Sequence, residues 1–242
     1  MRARAASRSL VAVIALLALG ALFARLGVWQ WRRAGEASAV AERFAAAAAE
    51  APLTAPPADA DREALRFREV ELRGEYVAGR QFLLDNMVHD GVAGYYVLTP
   101  WRADGSWVLV NRGWVPATAN RAVLPSVLLA AEPATVRGRI ERLPRPGLRL
   151  GSGSVAGHAA SPVEVVEFPT AAELADRLGH GVHDYQLLLD PAEPAGYVRE
   201  WVAPGLSPDR HVVYAGQWLL FAVGAVGAAV AIVIKGRSRH ET

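Results

Sequence analysis

The residues in this chain whose types and spacing could do chemistry are few, and the most suggestive set lies near its end. Asp209-Arg210-His211-Val212-Val213-Tyr214-Ala215-Gly216-Gln217-Trp218 leads into a run from Val212 to Ile234, 23 residues without a formal charge. At about 1.5 Å per helical residue such a run crosses a hydrocarbon core of roughly 30 Å. With a helix starting near Arg210, His211, Tyr214, Trp218 and Phe221 fall on one face at i, i+3, i+7 and i+10. An imidazole at that depth can present a lone pair to a metal. Tyr214 and Trp218 suit the membrane interface, where an amphipathic ring keeps one end wet. The same spacing also fits a plain interfacial histidine beside two anchoring rings, and both readings stand at this point.

Other constellations carry less. His180 and His183 sit three apart beside Asp184, a conceivable metal pair, but Gly181 between them and a position just past a helix make a loop, with too few ligands for a closed zinc site. Arg112 and Trp114 are of the types favoured as interface anchors. The competing assignment has Trp114 filling the core and Arg112 pairing with Asp85 or Glu71. Gly151-Ser152-Gly153-Ser154 lacks the following Lys-Ser or Lys-Thr and the helix of a phosphate-binding loop, and reads as a flexible surface loop. No Ser-His-Asp order with a nucleophile elbow is present, nor an H-E-x-x-H. The chain has no cysteine, which removes thiolate metal sites, thiol catalysis and disulfide staples. The expectation is that the chain is not an enzyme.

The elements that would position these residues follow from patterning. Of 242 residues, two apolar segments leave about 180 between them, the size of one ordinary domain. The first segment runs from Ser9 to Trp31, with Arg25 near enough to the end to snorkel and Trp29 and Trp31 in an aromatic belt. A cleaved signal peptide is the rival reading of this start. Arg2, Arg4 and Arg8 before it, and Lys235, Arg237 and Arg239 after the second segment, place both termini in the cytoplasm and the central domain outside, in a cell membrane crossed twice. The expected divisions are a first span over 9–31, an outer domain over 32–211, a second span over 212–234 and a tail over 235–242. A net charge of +2 makes no electrostatic case for nucleic acid. The only lysine is Lys235, and with the alanine-rich makeup the chain looks like the product of a GC-rich bacterial genome.

Glu36 to Glu50, rich in alanine, continues the first helix until Pro52, Pro56 and Pro57 end it. From Arg66 the period changes towards two. Val70 to Arg73 alternates until Gly74 interrupts, and Gln81 to Asn86 is a second extended run. Gly94 to Trp101 and Trp107 to Val115, joined through Ala103-Asp104-Gly105-Ser106, form a hairpin. Val136 to Glu141, Val163 to Phe168, Tyr185 to Leu189 and Tyr197 to Val202 read as further strands. Thr170 caps a short helix ending at Leu178, with Glu173 completing a capping box and Gly179 stopping it. The fold class is therefore α+β: two membrane helices flanking a mainly antiparallel β domain, a small barrel or sandwich, with one short helix.

Several stations along this chain resemble the surfeit-locus family of cytochrome c oxidase assembly factors, in a bacterial-type form. They are Leu26-Gly27-Val28-Trp29-Gln30-Trp31-Arg32-Arg33, Leu83-Leu84-Asp85-Asn86, Gly94-Tyr95-Tyr96-Val97-Leu98-Thr99-Pro100, Val110-Asn111-Arg112-Gly113-Trp114-Val115-Pro116, Gly196-Tyr197, and His211-x-x-Tyr214-x-x-x-Trp218. One departure is local: many members carry asparagine just before the histidine, where this chain has Arg210. The resemblance implies a non-catalytic factor that helps deliver haem a to subunit I of a terminal oxidase, or stabilises it there. It makes His211 the candidate ligand of haem iron, with Tyr214 and Trp218 as a wall beside it or as orienting groups. Cytochrome c oxidase subunit I, a haem A synthase and membrane lipid are the partners it implies. A scaffold that holds assembly intermediates and binds no cofactor is the alternative. Gly216, Gly224 and Gly227 are the small residues expected to let the first helix come close.

Overall fold

The computed structural model describes residues 2–103, 105–129, 133–145 and 161–238. The chain divides into two compact units, one made of 1–43 with 203–242 and the other of 44–202. The glycine-rich loop around 151–154 lies outside the described residues.

The first unit is a pair of helices. Helix α1, Arg2–Ala46, passes without a break through the first apolar run and its alanine-rich continuation, and a single 3-10 turn over Ala47–Ala49 ends it before Pro52. Helix α2 is the short one of the second unit (below), and helix α3, Pro208–Ser238, carries the second apolar run. Proline at the first helical position costs no hydrogen bond, and its fixed φ suits a helix start. Both long helices are long and apolar enough to cross a membrane.

Where the two helices meet, burial has a period near 3.5. On α3 the buried residues His211, Ala215, Ala222, Ala225 and Ala229 fall four and three apart, with half-buried Trp218 completing the series. On α1 the seam runs through Gly20, Gly27 and Ala34. This is the spacing of a coiled-coil seam, built here from residues small enough for two backbones to approach. A Cβ on Gly27 would stand 3.0 Å from Leu219 Cγ and one on Gly20 3.3 Å from Val226 Cγ2. The glycines that face a neighbour are thus those of α1. Gly216, Gly224 and Gly227 have nothing within 4 Å of an added Cβ, so the expectation that they admit the first helix is wrong. The alanines of α3 do that work, since the glycines lie off the seam by their spacing.

The second unit is one seven-stranded sheet: β1 Glu69–Tyr76, β2 Gln81–His89, β3 Val92–Ala103, β4 Ser106–Pro116, β5 Pro133–Glu141, β6 Val163–Val166 and β7 Gln186–Leu189. Its order is β1-β5-β7-β4-β3-β2-β6, and β1 also meets β3 through Glu75 opposite Arg102 and Tyr76 opposite Trp101. Among the described residues the strands form a single, mostly antiparallel sheet. Most pairings are antiparallel, while β2–β6 and β4–β7 are parallel. The hairpin of β3 and β4 forms as patterned, with Ala103 opposite Ser106.

Strand ends shift by a few residues from the patterning, and two departures are larger. Gly74 does not end β1, because its bare Cα lets Arg102 and Trp101 come close: a Cβ there would lie 2.0 Å from the Arg102 carbonyl oxygen. Tyr197 to Val202 is not a strand. It contributes one bridge, Val198 opposite Trp114.

Val70, Leu72, Trp101, Val110, Ile140 and Leu187 belong to the core on one face of the sheet. On another face, Phe82, Leu84, Leu98 and Val166 pack with Leu174 of α2, Ala171–Leu178. That short helix starts where the sequence places it. Thr170 Oγ1 accepts from the Glu173 amide at 3.2 Å, the Thr170 amide donates to Glu173 Oε2 at 2.8 Å, and Gly179 at φ 71° closes the far end.

Candidate functional site

His211 stands in the first turn of α3, three residues after the helix begins at Pro208. It is buried, at 8% exposure, on the seam against α1. Its Nδ1 is 2.8 Å from Oε1 of Gln30, which occupies the same seam between Gly27 and Ala34. A carbonyl oxygen only accepts, so the contact is a hydrogen bond in the tautomer that carries its proton on Nδ1. No hydrogen bond reaches Nε2 among the described residues. In that tautomer Nε2 holds the lone pair.

The other residues of the helical stripe separate according to their positions. Trp218 faces α1, with its ring stacked on Phe23 at 5.6 Å, and Phe221 lies 5.7 Å from the same Phe23 ring. Trp218 and Phe221 also meet edge to face at 5.9 Å, which makes a three-ring cluster along the helix pair. Tyr214 is exposed. The spacing of three to four residues that puts all of these on one side does not resolve the edge of the stripe from its centre, and the seam runs through His211 and Trp218 rather than Tyr214.

One imidazole with Nε2 free of hydrogen bonds is a donor that haem iron can take from a side chain, and the first-turn position leaves the apolar surface of α3 beside it for a macrocycle. His211 would hold the group, and Gln30 would hold His211. A haem bound there would supply an iron atom able to accept the His211 imidazole. Among the described residues no cluster of three or more His, Asp or Glu groups suits a bare metal ion. His183 instead pairs with Asp59 (Nδ1 to Oδ1 2.8 Å) and His180 stacks on Trp107 at 4.5 Å.

The signature Asn111-Arg112-Gly113-Trp114 has a different character, because every member is tied into the β domain. Asn111 Nδ2 donates to Gln186 Oε1 at 3.0 Å, and its Oδ1 accepts from the Gly113 amide at 3.1 Å. Gly113 adopts φ 106°, and a Cβ there would fall 2.5 Å from the Val198 carbonyl oxygen, so only glycine lets the 197–198 segment lie alongside. Trp114 donates its indole N–H to the Met87 carbonyl at 3.0 Å and is 8% exposed.

Arg112, at 2% exposure, donates to the carbonyls of Ala195 at 2.8 Å and Val127 at 2.9 Å. Its guanidinium also lies over the Tyr197 ring, 4.9 Å from the centre. Burial pulls its pKa below the usual guanidinium value, with the nearby tyrosines opposing that shift. The pairing of Arg112 with Asp85 or Glu71 does not form: Asp85 takes Arg121 at 2.9 Å and Glu71 takes Arg137 at 2.6 Å. Sequence reasoning missed Gln30. It lies within the quoted run around the first-span exit, and a glutamine on a glycine-alanine seam was the signal that could have found it.

Two helices long and apolar enough to cross a membrane stand before and after a β domain in the chain, and a polar pair, His211 and Gln30, lies on the seam between them. A family model described as the SURF1 family matches residues 17–223, from inside the first apolar run into the second. The chain belongs to the SURF1 family. It is also similar to a SURF1-like protein of Dictyostelium discoideum, 39% identical over 59 residues, which is 24% of this chain and 22% of that protein. That likeness spans less than a quarter of either chain.

Proposed function

We propose that this protein is a non-catalytic assembly factor of a terminal oxidase, which receives haem a on His211 and assists its delivery to subunit I or its stabilisation there. Its family is known generally for oxidase assembly factors, and that supports the broad part of the reading. The observation that carries the specific part is the state of His211: buried between two apolar helices, engaged through Nδ1 alone. A histidine kept only for interfacial solubility would face water or headgroups, whereas His211 is buried on a seam of alanine and glycine with Gln30 as its one hydrogen-bond partner among the described residues.

The reading carries a topology with it. Both termini lie in the cytoplasm and the β domain outside, which sets His211 at the outer face, where a haem A synthase would supply the cofactor and subunit I would take it. Arg112 and Trp114 bear on such a partner through the 195–198 segment that they hold in place. Reporter fusions at Thr242 and within 151–157 should report opposite compartments, and an external C-terminus would overturn the orientation.

The test of function is the absorption spectrum of the full-length protein purified from cells that make haem a. Wild type should carry haem a, the H211A variant should be inserted normally with little or none, and oxidase in the variant strain should be poor in haem a. A haem-free wild type that still supports oxidase assembly would replace this reading with the cofactor-free scaffold.

A further inference from the structure

We propose that Gln30 is the positioning residue for His211: its side-chain oxygen fixes the imidazole as the Nδ1–H tautomer, so that Nε2 holds the lone pair offered to iron. The inference rests on the reading of His211 as an iron ligand, and it adds a residue from the other helix to that site.

The geometry is specific. Nδ1 and Oε1 are 2.8 Å apart, within the range of a good N–H to oxygen bond. Gln30 reaches this place because the seam delivers it. Gly27, one turn earlier, packs so closely on α3 that an added Cβ would meet Leu219 Cγ at 3.0 Å and the Ala215 carbonyl oxygen at 3.4 Å. Ala215 itself, one turn after His211, is 1% exposed. Close backbones on that side bring the two longer polar side chains together on the next turn. A neutral imidazole with no partner at either nitrogen exchanges its proton between them and turns about its Cβ–Cγ bond. A fixed acceptor at Nδ1 removes both freedoms, and metal-bound histidines in general give their second N–H to such an acceptor, which also raises their basicity toward the metal.

Gln30 has a competing role, a polar link that sets the register of two membrane helices. A role of that kind would move helix pairing and leave the imidazole chemistry alone. The experiment therefore reads the ring. Full-length protein labelled with ring-15N histidine, free of haem, is compared as wild type, Q30L and Q30E, with H211A assigning the signal. Wild type should show His211 protonated at Nδ1 and bare at Nε2, and Q30L should show the two tautomers mixed.

Purified haem a is then added as the probe. Q30L should bind it about 10–100-fold more weakly. In the ferrous protein the iron–histidine stretching frequency should fall in Q30L and rise above wild type in Q30E, whose carboxylate pulls harder on the Nδ1 proton. Q30E keeps an acceptor in place, so it decides the matter even if Q30L inserts poorly.

Unchanged tautomer, affinity and stretch in both Gln30 variants, with haem lost in H211A, would overturn the role of Gln30 while leaving His211 as the ligand. Retention of haem by H211A would take down both.

Discussion

Arg112 lies over Tyr197, its guanidinium carbon 4.9 Å from the ring centre and its Nη2 3.4 Å from the Tyr197 hydroxyl, while the Tyr197 amide donates to the Arg112 carbonyl at 2.7 Å. Main chain and side chain thus clamp the same segment from both sides. A charged group at 2% exposure with carbonyls, a hydroxyl and aromatic faces for partners, and no carboxylate within salt-bridge distance among the described residues, is an unusual way to hold a cation. It fixes residues 195–198 against β4 where ladder pairing provides a single bridge, Val198 opposite Trp114.

Replacing Arg112 by alanine leaves the carbonyl of buried Val127 without this donor and removes the part-buried bond to Ala195, and a lost buried partner costs about 1–3 kcal/mol. The expected loss for R112A is about 3 kcal/mol, and R112K should recover only part of it, because one ammonium cannot span the same acceptors. R121A, which breaks an exposed pair with Asp85, should cost under about 1 kcal/mol. Thermal unfolding of the detergent-solubilised full chain, followed by near-ultraviolet circular dichroism, ranks the three. An R112A loss no larger than that of R121A would mean the clamp contributes little.

Burial pushes the Tyr76 hydroxyl up to about 12, and burial likewise raises Tyr185 and Tyr96 above the ordinary phenol value. The sign follows from which state releases the proton first. Unfolded tyrosines ionise near pH 10, so the stabilisation is intact below that pH and drains away as pH rises towards 12. Stability should therefore fall steeply above about pH 10, and Y76F should flatten that fall. Tyrosinate absorbance, titrated in the folded protein, should show a late-ionising group that Y76F removes. An ordinary titration midpoint for every tyrosine would contradict the buried setting of this ring.

The capping box of α2 gives a smaller test. Thr170 and Glu173 satisfy each other's amides at the start of a helix whose Leu174 is fully buried. T170A should cost about 1 kcal/mol and T170S almost nothing, read by the same unfolding measurement. Equal stability of T170A and wild type would show that Leu174 anchors the helix without its cap.

Local rules account for the parts that were legible in the sequence. The β3–β4 hairpin, the Thr170 cap and the two apolar runs each depend on residues close together in the chain. What was not legible depends on partners. A period of two says which face a residue takes but not which strand lies beside it, so the parallel seating of β6 on β2 and β7 on β4 left no trace. Tyr197 to Val202 has strand-like residues, yet Arg199 turns back to donate to the carbonyls of Asp190 at 2.6 Å and Glu193 at 2.8 Å, which anchors the segment as a loop. One of two readings of Arg112 paired it with a carboxylate because opposite charges attract, but carbonyls and rings satisfy it instead. His211 was legible as a candidate; Gln30, 181 positions away, was visible only once the seam was in hand.

The seam itself makes the sharpest prediction, because the chain carries no cysteine to confuse it. A Cβ built on Gly20 lies 3.6 Å from the Cβ of Ala225, close to the mean separation of about 3.8 Å in disulfides. The double variant G20C/A225C should therefore cross-link within one chain under mild oxidation, which a shift in gel mobility reverses on reduction. A control pair that moves the second cysteine to Gly224, where an added Cβ meets nothing within 4 Å, should not. Adding G27L to the cross-linking pair should lower the yield sharply, since the new side chain must displace Leu219 or push the helices apart. G216A, G224A and G227A should leave the yield unchanged, because those glycines face away from α1. If G20C/A225C fails to close while G20C/G224C closes, α3 is rotated about its axis from the arrangement described, and His211 no longer meets Gln30.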